Sequence, residues 1–533
     1  MSAKGPCPGC GADIVFRVTT SVVAVCSYCQ QVVARGDVAL EDLGKSNPIL
    51  QVPSAFSLGT TGRFRGQGFT VVGRAQLQHA LGGVWNEWYA ALDNGRWVWI
   101  AEHQGRVAFL GEVSKAQAPP IRTLDAAVPG SRWFSGRGEF VVAERGIATV
   151  GAEEGELPWR ATTNERRAAV DLQAPGRVFA TLDFGVVGPD DQPRGPTRFF
   201  VGHEVDIAAL ALSHPTVDPP SVEEALPVVA GNRTVSCPSC QAPLTLHRPD
   251  DSRTVVCDHC GAASSVDEHR QLALLFPQRL RFQPQIPLGA RARFDERVLS
   301  NARVQDNLKS LDVEVVAFVV RSVIEDGLKF TFEEYLLATP KQGFFWLVES
   351  DGQWSLFRPI SAADVREEGN GAVYQNGRYS RQARSTPKVE QVMGELFWRV
   401  SLGDLSVATD YVRLKYRLTV EKTADEVNWT FGFPIPRSDL ARVFNVALPI
   451  KTSSPAGGSP FSSSDGFGSS EYRLSSRSGQ QPDLQNAGAV FIVLIIVFLM
   501  VVAALTNDDD DDDGGYRSGG RSYGGGGGYS FGK

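Results

Sequence analysis

The chain runs to 533 residues, of which 42% are hydrophobic and 21% charged, with a formal net charge of −7. At roughly 100–200 residues per domain this length holds about three to four folded units, and the apolar content excludes a chain disordered throughout. The acidic balance argues against a general nucleic-acid binder, which carries a basic face, and the polar stretch from Met1 to Cys10 lacks the apolar run of a secretory signal.

The first predicted element, residues 1–36, is a small cysteine module. Cys7-Pro8-Gly9-Cys10 and Cys26-Ser27-Tyr28-Cys29 stand fifteen residues apart. Two residues between cysteines let one tight turn, a knuckle, aim two thiolates at one ion, and two knuckles complete a tetrahedral site. Ala12–Thr19 and Ser21–Val25 read as the strands of one hairpin with a knuckle at each end, a zinc ribbon.

Residues 48–200 read as a β domain. Phe69–Val72, Trp97–Ile100 and Phe140–Val142 are short aromatic and β-branched runs, punctuated by the turns Asp93-Asn94-Gly95 and His103-Gln104-Gly105. Helical periodicity shows only weakly, over Gln76–Leu81. A linker covers residues 201–232, with a Pro-rich core at 215–221.

A second ribbon follows at 233–270: Cys237-Pro238-Ser239-Cys240, sixteen residues, then Cys257-Asp258-His259-Cys260. Residues 282–436 form the second β domain, with strands over Val313–Ile324, Tyr335–Leu337 and Phe344–Val348, and a helical pattern over Pro436–Phe444 at its end. Strands of this length at this spacing suggest an antiparallel meander closing into a barrel or sandwich.

Residues 452–486 are rich in Ser, Gly, Pro and Gln and read as a disordered linker. Ala487–Leu505 contains 19 consecutive uncharged residues, about 28 Å of helix, enough to cross a bilayer. The tail, 506–533, carries the aspartate run Asp508–Asp513 and a glycine-rich end. The expected fold class is mainly β: two zinc ribbons, two antiparallel barrel- or sandwich-like domains and one C-terminal transmembrane helix.

The two halves repeat. Cys7, Cys10 and Cys26 recur as Cys237, Cys240 and Cys257, and Leu58-Gly59 and Arg63-Phe64 recur as Leu288-Gly289 and Arg293-Phe294. Glu87, Trp99 and Glu102 match Glu334, Trp346 and Glu349, and Gly155-Glu156-Leu157-Pro158-Trp159-Arg160 matches Gly394-Glu395-Leu396-Phe397-Trp398-Arg399. Phe184-Gly185 aligns with Phe431-Gly432. The collinear order marks a tandem duplication, with an insertion around Leu299–Val315.

Cys7, Cys10, Cys26 and Cys29, and Cys237, Cys240, Cys257 and Cys260, are the expected ligands of two structural zinc ions. All four ligands of each ion are protein thiolates, so no position is left for water or substrate. Disulfides and a thioredoxin-like motif are the rival readings; the lack of a signal peptide and the perfect pairing of CxxC units disfavour the first, and the missing βαβ context the second. His259 reads as a surface residue of its knuckle. Neither ribbon is strongly basic, which points away from nucleic acid and toward protein contact.

No HExxH, Walker A or GxSxG pattern occurs. The recurring glutamates, Glu87/Glu334, Glu102/Glu349 and Glu156/Glu395, are the sharpest candidates for acid–base chemistry; solvated or ion-paired strand residues are the plainer reading. The recurring tryptophans, Trp99/Trp346 and Trp159/Trp398 among them, read as strand packing. The charge runs near the apolar segment do not orient it, since arginines balance on its two sides. Reduced thiolates need a reducing compartment, which places the body on the cytoplasmic side and the tail outside.

The elements Trp85-Asn86-Glu87-Trp88-Tyr89, Gly95-Arg96-Trp97-Val98-Trp99 and Gly155-Glu156-Leu157-Pro158-Trp159, with Phe332–Leu337, Gly343–Leu347, Gly352-Gln353-Trp354 and Gly394–Trp398, resemble a bacterial family known as domain of unknown function 4178, in two copies. Val107 stands where the second copy has Trp354. The resemblance implies β-rich domains often found near membrane proteins and brings no activity or catalytic residues. The expected function is a single-pass, membrane-anchored scaffold or adaptor that gathers protein partners at the inner face. A small-molecule sensor or enzyme built on the β domains is the alternative, and membrane-tethered nucleic-acid binding a weaker one.

Overall fold

The computed structural model describes residues 3–16, 20–35, 40–49, 54–79, 84–103, 106–159, 164–214, 233–246, 252, 254–266, 272–301, 310–325, 328–339, 343–397 and 400–449. The apolar segment 487–505, the linker 452–486, the tail 506–533 and most of the linker 201–232 lie outside them. Among the described residues no helix is long and apolar enough to cross a membrane.

The chain is mainly β. In the first half, β1 (Ala3–Pro6) and β2 (Asp13–Phe16) form a two-stranded sheet of their own, and β3 (Val23–Val25), β4 (Gln31–Arg35) and β5 (Leu40–Lys45) follow. Then come β6 (Thr61–Phe64), β7 (Gln67–His79), β8 (Val84–Leu92), β9 (Trp97–His103), β10 (Arg106–Val113), β11 (Arg132–Ser135), β12 (Gly138–Leu157), β13 (Arg166–Ala174), β14 (Val178–Val186) and β15 (Arg198–Val205). Every pairing is antiparallel, and the ring β7-β8-β9-β10-β15-β14-β13-β12 closes because β12 also pairs with β7. Closure removes the sheet edges that would otherwise invite association.

The second half repeats the plan. β16 (Arg233–Ser236) and β17 (Pro243–Leu246) pair alone; β18 (Thr254–Val256), β19 (Ala263–Val266) and β20 (Leu272–Phe276) follow. The second ring uses β22 (Leu311–Glu325), after β21 (Arg291–Phe294), with β23 (Leu328–Ala338), β24 (Phe344–Ser350) and β25 (Gln353–Ile360). β26 (Val365–Glu368), β27 (Gly371–Tyr374), β28 (Gly377–Ser385), β29 (Lys388–Leu396), β30 (Val407–Arg413), β31 (Tyr416–Lys422), β32 (Val427–Pro434) and helix α1 (Arg437–Phe444) complete it. The long β12 of the first copy is two strands here, β28 and β29, with Pro387 between them; proline has no N–H to continue a ladder.

Alternation along each strand covers both faces of the ring. On β8–β10, Tyr89, Trp99, Ala101, Ala108 and Leu110 share one core. Trp88, Ile100, Val107 and Phe109 turn to the other, under residues of the 54–58 and 207–212 segments. The tryptophans pack as expected: Trp99 and Trp346 are fully buried, and Trp99 stacks on Trp159 with centroids 4.3 Å apart. Trp398 and Arg160 lie outside the described residues.

Two readings of the β domains need correction. Gln76 to His79 belongs to strand β7, where Ala75 and Leu77 are buried at strand spacing, not to a helix. Phe184-Gly185 is not the counterpart of Phe431-Gly432. Trp99 opposes Leu110 as Trp346 opposes Phe357, and Leu110 and Phe357 oppose Gly202 and Gly432. Gly202 is therefore the match of Gly432, and Phe184 sits one strand away, on β14. A Cβ on Gly202 would lie 1.7 Å from the Phe109 carbonyl oxygen, so the repeat of a glycine there has a packing cause. The same register puts Val107 opposite Glu102 and Trp354 opposite Glu349, as the sequence comparison has it.

The halves touch. Arg145 donates from Nε to Asp425 Oδ1 at 3.1 Å, Glu139 pairs with Arg366 at 2.6 Å, and the Gln173 side chain accepts from the Ala362 amide at 2.7 Å. Val141 of the first copy is buried in the core of the second.

Candidate metal centres

Each knuckle sits in the turn of its own hairpin, not at the two ends of a shared one. Cys7 and Cys10 lie between β1 and β2, Cys26 and Cys29 between β3 and β4. Four identical turns result. The first cysteine's amide donates to the carbonyl five residues on (Cys7 to Ala12 2.8 Å, Cys26 to Gln31 2.8 Å, Cys237 to Ala242 2.9 Å, Cys257 to Ala262 3.0 Å). Its carbonyl accepts from the amide four residues on (Gly11 2.8 Å, Gln30 3.0 Å, Gln241 2.9 Å, Gly261 2.8 Å). That fourth residue is left-handed in every case, with φ of +78°, +60°, +64° and +73°. Glycine takes this conformation freely and glutamine at a cost.

Facing knuckles bring the thiols together. Cys7 Sγ lies 3.6 Å from Cys29 Sγ and Cys10 Sγ 3.7 Å from Cys26 Sγ; the pairs Cys237–Cys260 and Cys240–Cys257 are each at 3.7 Å. Within each group all four sulfurs lie within 4.8 Å of one another. A tetrahedron of thiolates about 2.3 Å from a central ion has edges of about 3.8 Å, whereas a disulfide requires about 2.05 Å. The donor set and its spacing fit a metal ion. Crowding also splits the thiols' titration. Burial raises Cys26, but the amides of Cys29 and Tyr28 and the Cys10 thiol outweigh it and bring it to about 7. The Gln31 amide lowers Cys29, yet burial and the thiols of Cys10, Cys7 and Cys26 prevail and push it up to about 12. A divalent cation removes this conflict by accepting all four as thiolates. His259 is exposed in its knuckle and outside the cluster.

The clusters are built onto the barrels. β3 pairs with the end of β12, Ala24 opposite Glu156 and Val23 opposite Leu157, and β18 pairs with β29, Val255 opposite Glu395. The hairpin carrying the second knuckle is buried on both faces, which explains its unbroken apolar runs. Ala24 and Val33 face the cysteines, while Val23, Val32 and Ala34 join the core of Trp99 and Trp159. In the second copy Val255 and Ala262 face the cysteines, and Val256 and Ala263 join the core of Trp346.

The paired glutamates fall in three different settings. Glu156 and Glu395 are buried at the seam between ribbon and barrel, where Glu395 accepts from the Ser252 hydroxyl. Glu102 accepts from the Ala55 amide at 3.0 Å, from Trp88 Nε1 at 3.1 Å and from the Ser54 hydroxyl, which pins the 54–56 segment against β9. Its counterpart Glu349 accepts the Gly352 amide at 2.7 Å, inside a turn.

Glu87 and Glu334 are fully buried inside their rings, and register shows what lies with them. Asp171 corresponds to Asp410, Thr181 to Thr419 and Asp183 to Glu421; Thr181 donates to Asp171 at 2.9 Å and Thr419 to Asp410 at 2.5 Å. Each interior holds a buried arginine, delivered from different strands on either side of β12 or its counterpart. In the first copy Arg167 on β13 meets Asp183 at 2.9 Å; in the second, Ser406 takes that place and Arg321 on β22 reaches Glu334 at 3.3 Å and Ser406 at 3.3 Å. Leu77 fills the position of Arg321 in the first copy. Burial raises Glu334 well above its ordinary range, against the pull of Arg321, and raises Asp410 to about 7 and Glu421 to about 8. Glu87 and Glu334 are legible as a repeat in the sequence; the other two carboxylate pairs are not, because aligning Phe184 with Phe431 imposes a shift of 247 where 238–239 relates them.

The family model described as Domain of unknown function (DUF4178) matches residues 57–206 and 309–437, one ring each. No curated protein and no solved structure matches the chain.

Proposed function

The chain belongs to the family of Domain of unknown function (DUF4178), in two tandem copies, and from that premise we propose that it is a single-pass membrane protein whose body is a zinc-stabilised, non-enzymatic scaffold. One observation carries the reading. Each all-thiol cluster takes two thiols from a free-standing hairpin and two from a hairpin paired to its barrel, so an ion held there would clamp the one onto the other with every ligand supplied by the protein. Such a site supplies folding free energy and holds a surface in place; it has no open position for chemistry. Cys7, Cys10, Cys26 and Cys29 hold one zinc ion, and Cys237, Cys240, Cys257 and Cys260 the other.

Ala487–Leu505 anchors the body, joined through the flexible 452–486 segment, and tail 506–533 lies across the membrane. Zinc thiolates require a reducing compartment, which puts the body at the cytoplasmic face, where it gathers protein partners. Protease added outside intact cells tests the topology: it should remove the tail and spare the body, and the reverse pattern would overturn it. Affinity capture of the detergent-solubilised chain, compared with a chain lacking both knuckle hairpins, tests the scaffold. Partners lost with the hairpins support it, and an identical set, or none, contradicts it.

A further inference from the structure

The outer face of the second ring carries a cavity of about 330 Å³ whose walls include Arg381, Arg384, Lys422, Glu367 and Tyr411. A bulge makes it. Arg381 opposes Tyr411 and Arg384 opposes Thr409, with an extra residue between them on β28. Residues three apart on a regular strand point to opposite faces; one extra residue puts both guanidinia on the same face. Val407, Thr409 and Tyr411 on β30, and Val420 and Lys422 on β31, share that face by alternation and register.

Charge in the cavity is unbalanced. Tyr411 donates to Glu367 at 2.7 Å, and Lys422 reaches the same carboxylate. That single carboxylate is committed to Lys422. Among the described residues neither Arg381 nor Arg384 has a carboxylate partner, and both side chains are exposed.

The first copy is an internal control. It has the same bulge, between Val142 and Glu144. Register places Val142 where Arg381 stands, Leu172 where Tyr411 stands and Phe184 where Lys422 stands. All three are buried in an apolar core, beneath Ile121 and Ala127. Arg145, the counterpart of Arg384, is bound by Asp425 and by the carbonyls of Leu124 and Asp125. The fold therefore does not need Arg381 or Lys422 on this face, and where the first copy ties down its one cation, Arg145, the second leaves Arg384 without a carboxylate partner among the described residues.

We infer that the Arg381–Arg384–Lys422 cavity is a binding site for a phosphate monoester, with the two free guanidinia gripping the phosphate and Val407 and Val420 forming an apolar floor. Guanidinium forks match phosphate oxygens in geometry and charge. A phospholipid headgroup and a water-soluble phosphate ester share this chemistry. The lipid source alone rests on the membrane reading above; the site does not.

Calorimetric titration of the full chain in a non-ionic detergent tests it with two probes, glycerol 3-phosphate and dihexanoyl phosphatidic acid, with dihexanoyl phosphatidylcholine as control. Saturable binding of at least one phosphate monoester is expected, weakened about tenfold or more in R381Q/R384Q, as expected when charge-assisted hydrogen bonds are lost. Both arginines are exposed, so the variant should fold, and unchanged circular dichroism and melting confirm that. Tighter binding of phosphatidic acid identifies the lipid; equal binding identifies the soluble ester. Failure of both probes, or equal affinity in R381Q/R384Q, overturns the site and leaves the scaffold reading standing.

Discussion

Removing the metal should release half of each ribbon and leave the other half in place. Among the described residues no other strand joins the sheet of β1 and β2, while β3 and β18 are hydrogen-bonded to the barrels. The first hairpin spans the fourteen residues Ala3–Phe16 and buries Ile14 and Phe16. Ordering them costs about 14 kcal/mol at roughly 1 kcal/mol per residue, and burying two large side chains returns about 3–6 kcal/mol. The deficit of about 8–11 kcal/mol is close to the 10–16 kcal/mol that structural zinc supplies in small peptides. Hydrogen exchange with and without a strong chelator reads this directly. Amides in 3–16 and 233–246 should lose protection, while those in 23–35 and 254–266 keep most of theirs. Uniform loss across the ribbon, or unchanged protection of the hairpins, would refute the reasoning.

Four further outcomes follow from the geometry. Gln30→Gly and Gln241→Gly relieve left-handed residues and should each raise stability by about 0.5–1 kcal/mol in thermal melts. Gly261→Ala should cost more than Gly11→Ala, since its Cβ would meet the Gln278 carbonyl at 2.6 Å and that of Gly11 meets nothing. Arg321→Leu strands Glu334 and should cost about 3–5 kcal/mol; adding Ser406→Arg, which copies the first barrel, should recover part of it. Stability should fall by several kcal/mol between pH 5 and pH 8.5. Asp410 and Glu421 stay protonated to about 7 and 8 in the fold but ionise near 4 when unfolded, so the unfolded chain binds fewer protons across that window. Asp410→Asn with Glu421→Gln should flatten the slope, and an unchanged slope would contradict the assignment.

Much of this was legible in the sequence, for identifiable reasons. The CxxC spacings locate the four-thiol clusters because a two-residue gap is a local constraint that no distant contact overrides. The β character shows in the aromatic and β-branched runs, and the duplication in residues that geometry fixes, such as Gly155 and Gly394, both left-handed where the ring closes. Long-range facts were not legible. Nothing local shows that β3 continues the barrel sheet or that each knuckle owns its hairpin. The buried arginine moves between strands, from Arg167 to Arg321, so no single column of the repeat carries it. The phosphate cavity depends on a bulge, which changes which face Arg384 takes without leaving a mark in the composition.

On the function proposed above, two all-thiolate metal sites hold the ribbons on the barrels, and counting metal and thiols on one sample checks this without any partner assay. Elemental analysis of the purified full chain, with thiol titration before and after chelation, should find two zinc ions per chain and eight thiols that react only once the metal is removed. A chain that folds and melts cooperatively with less than one metal ion, or with its cysteines joined as disulfides, would show that metal does not hold the ribbons.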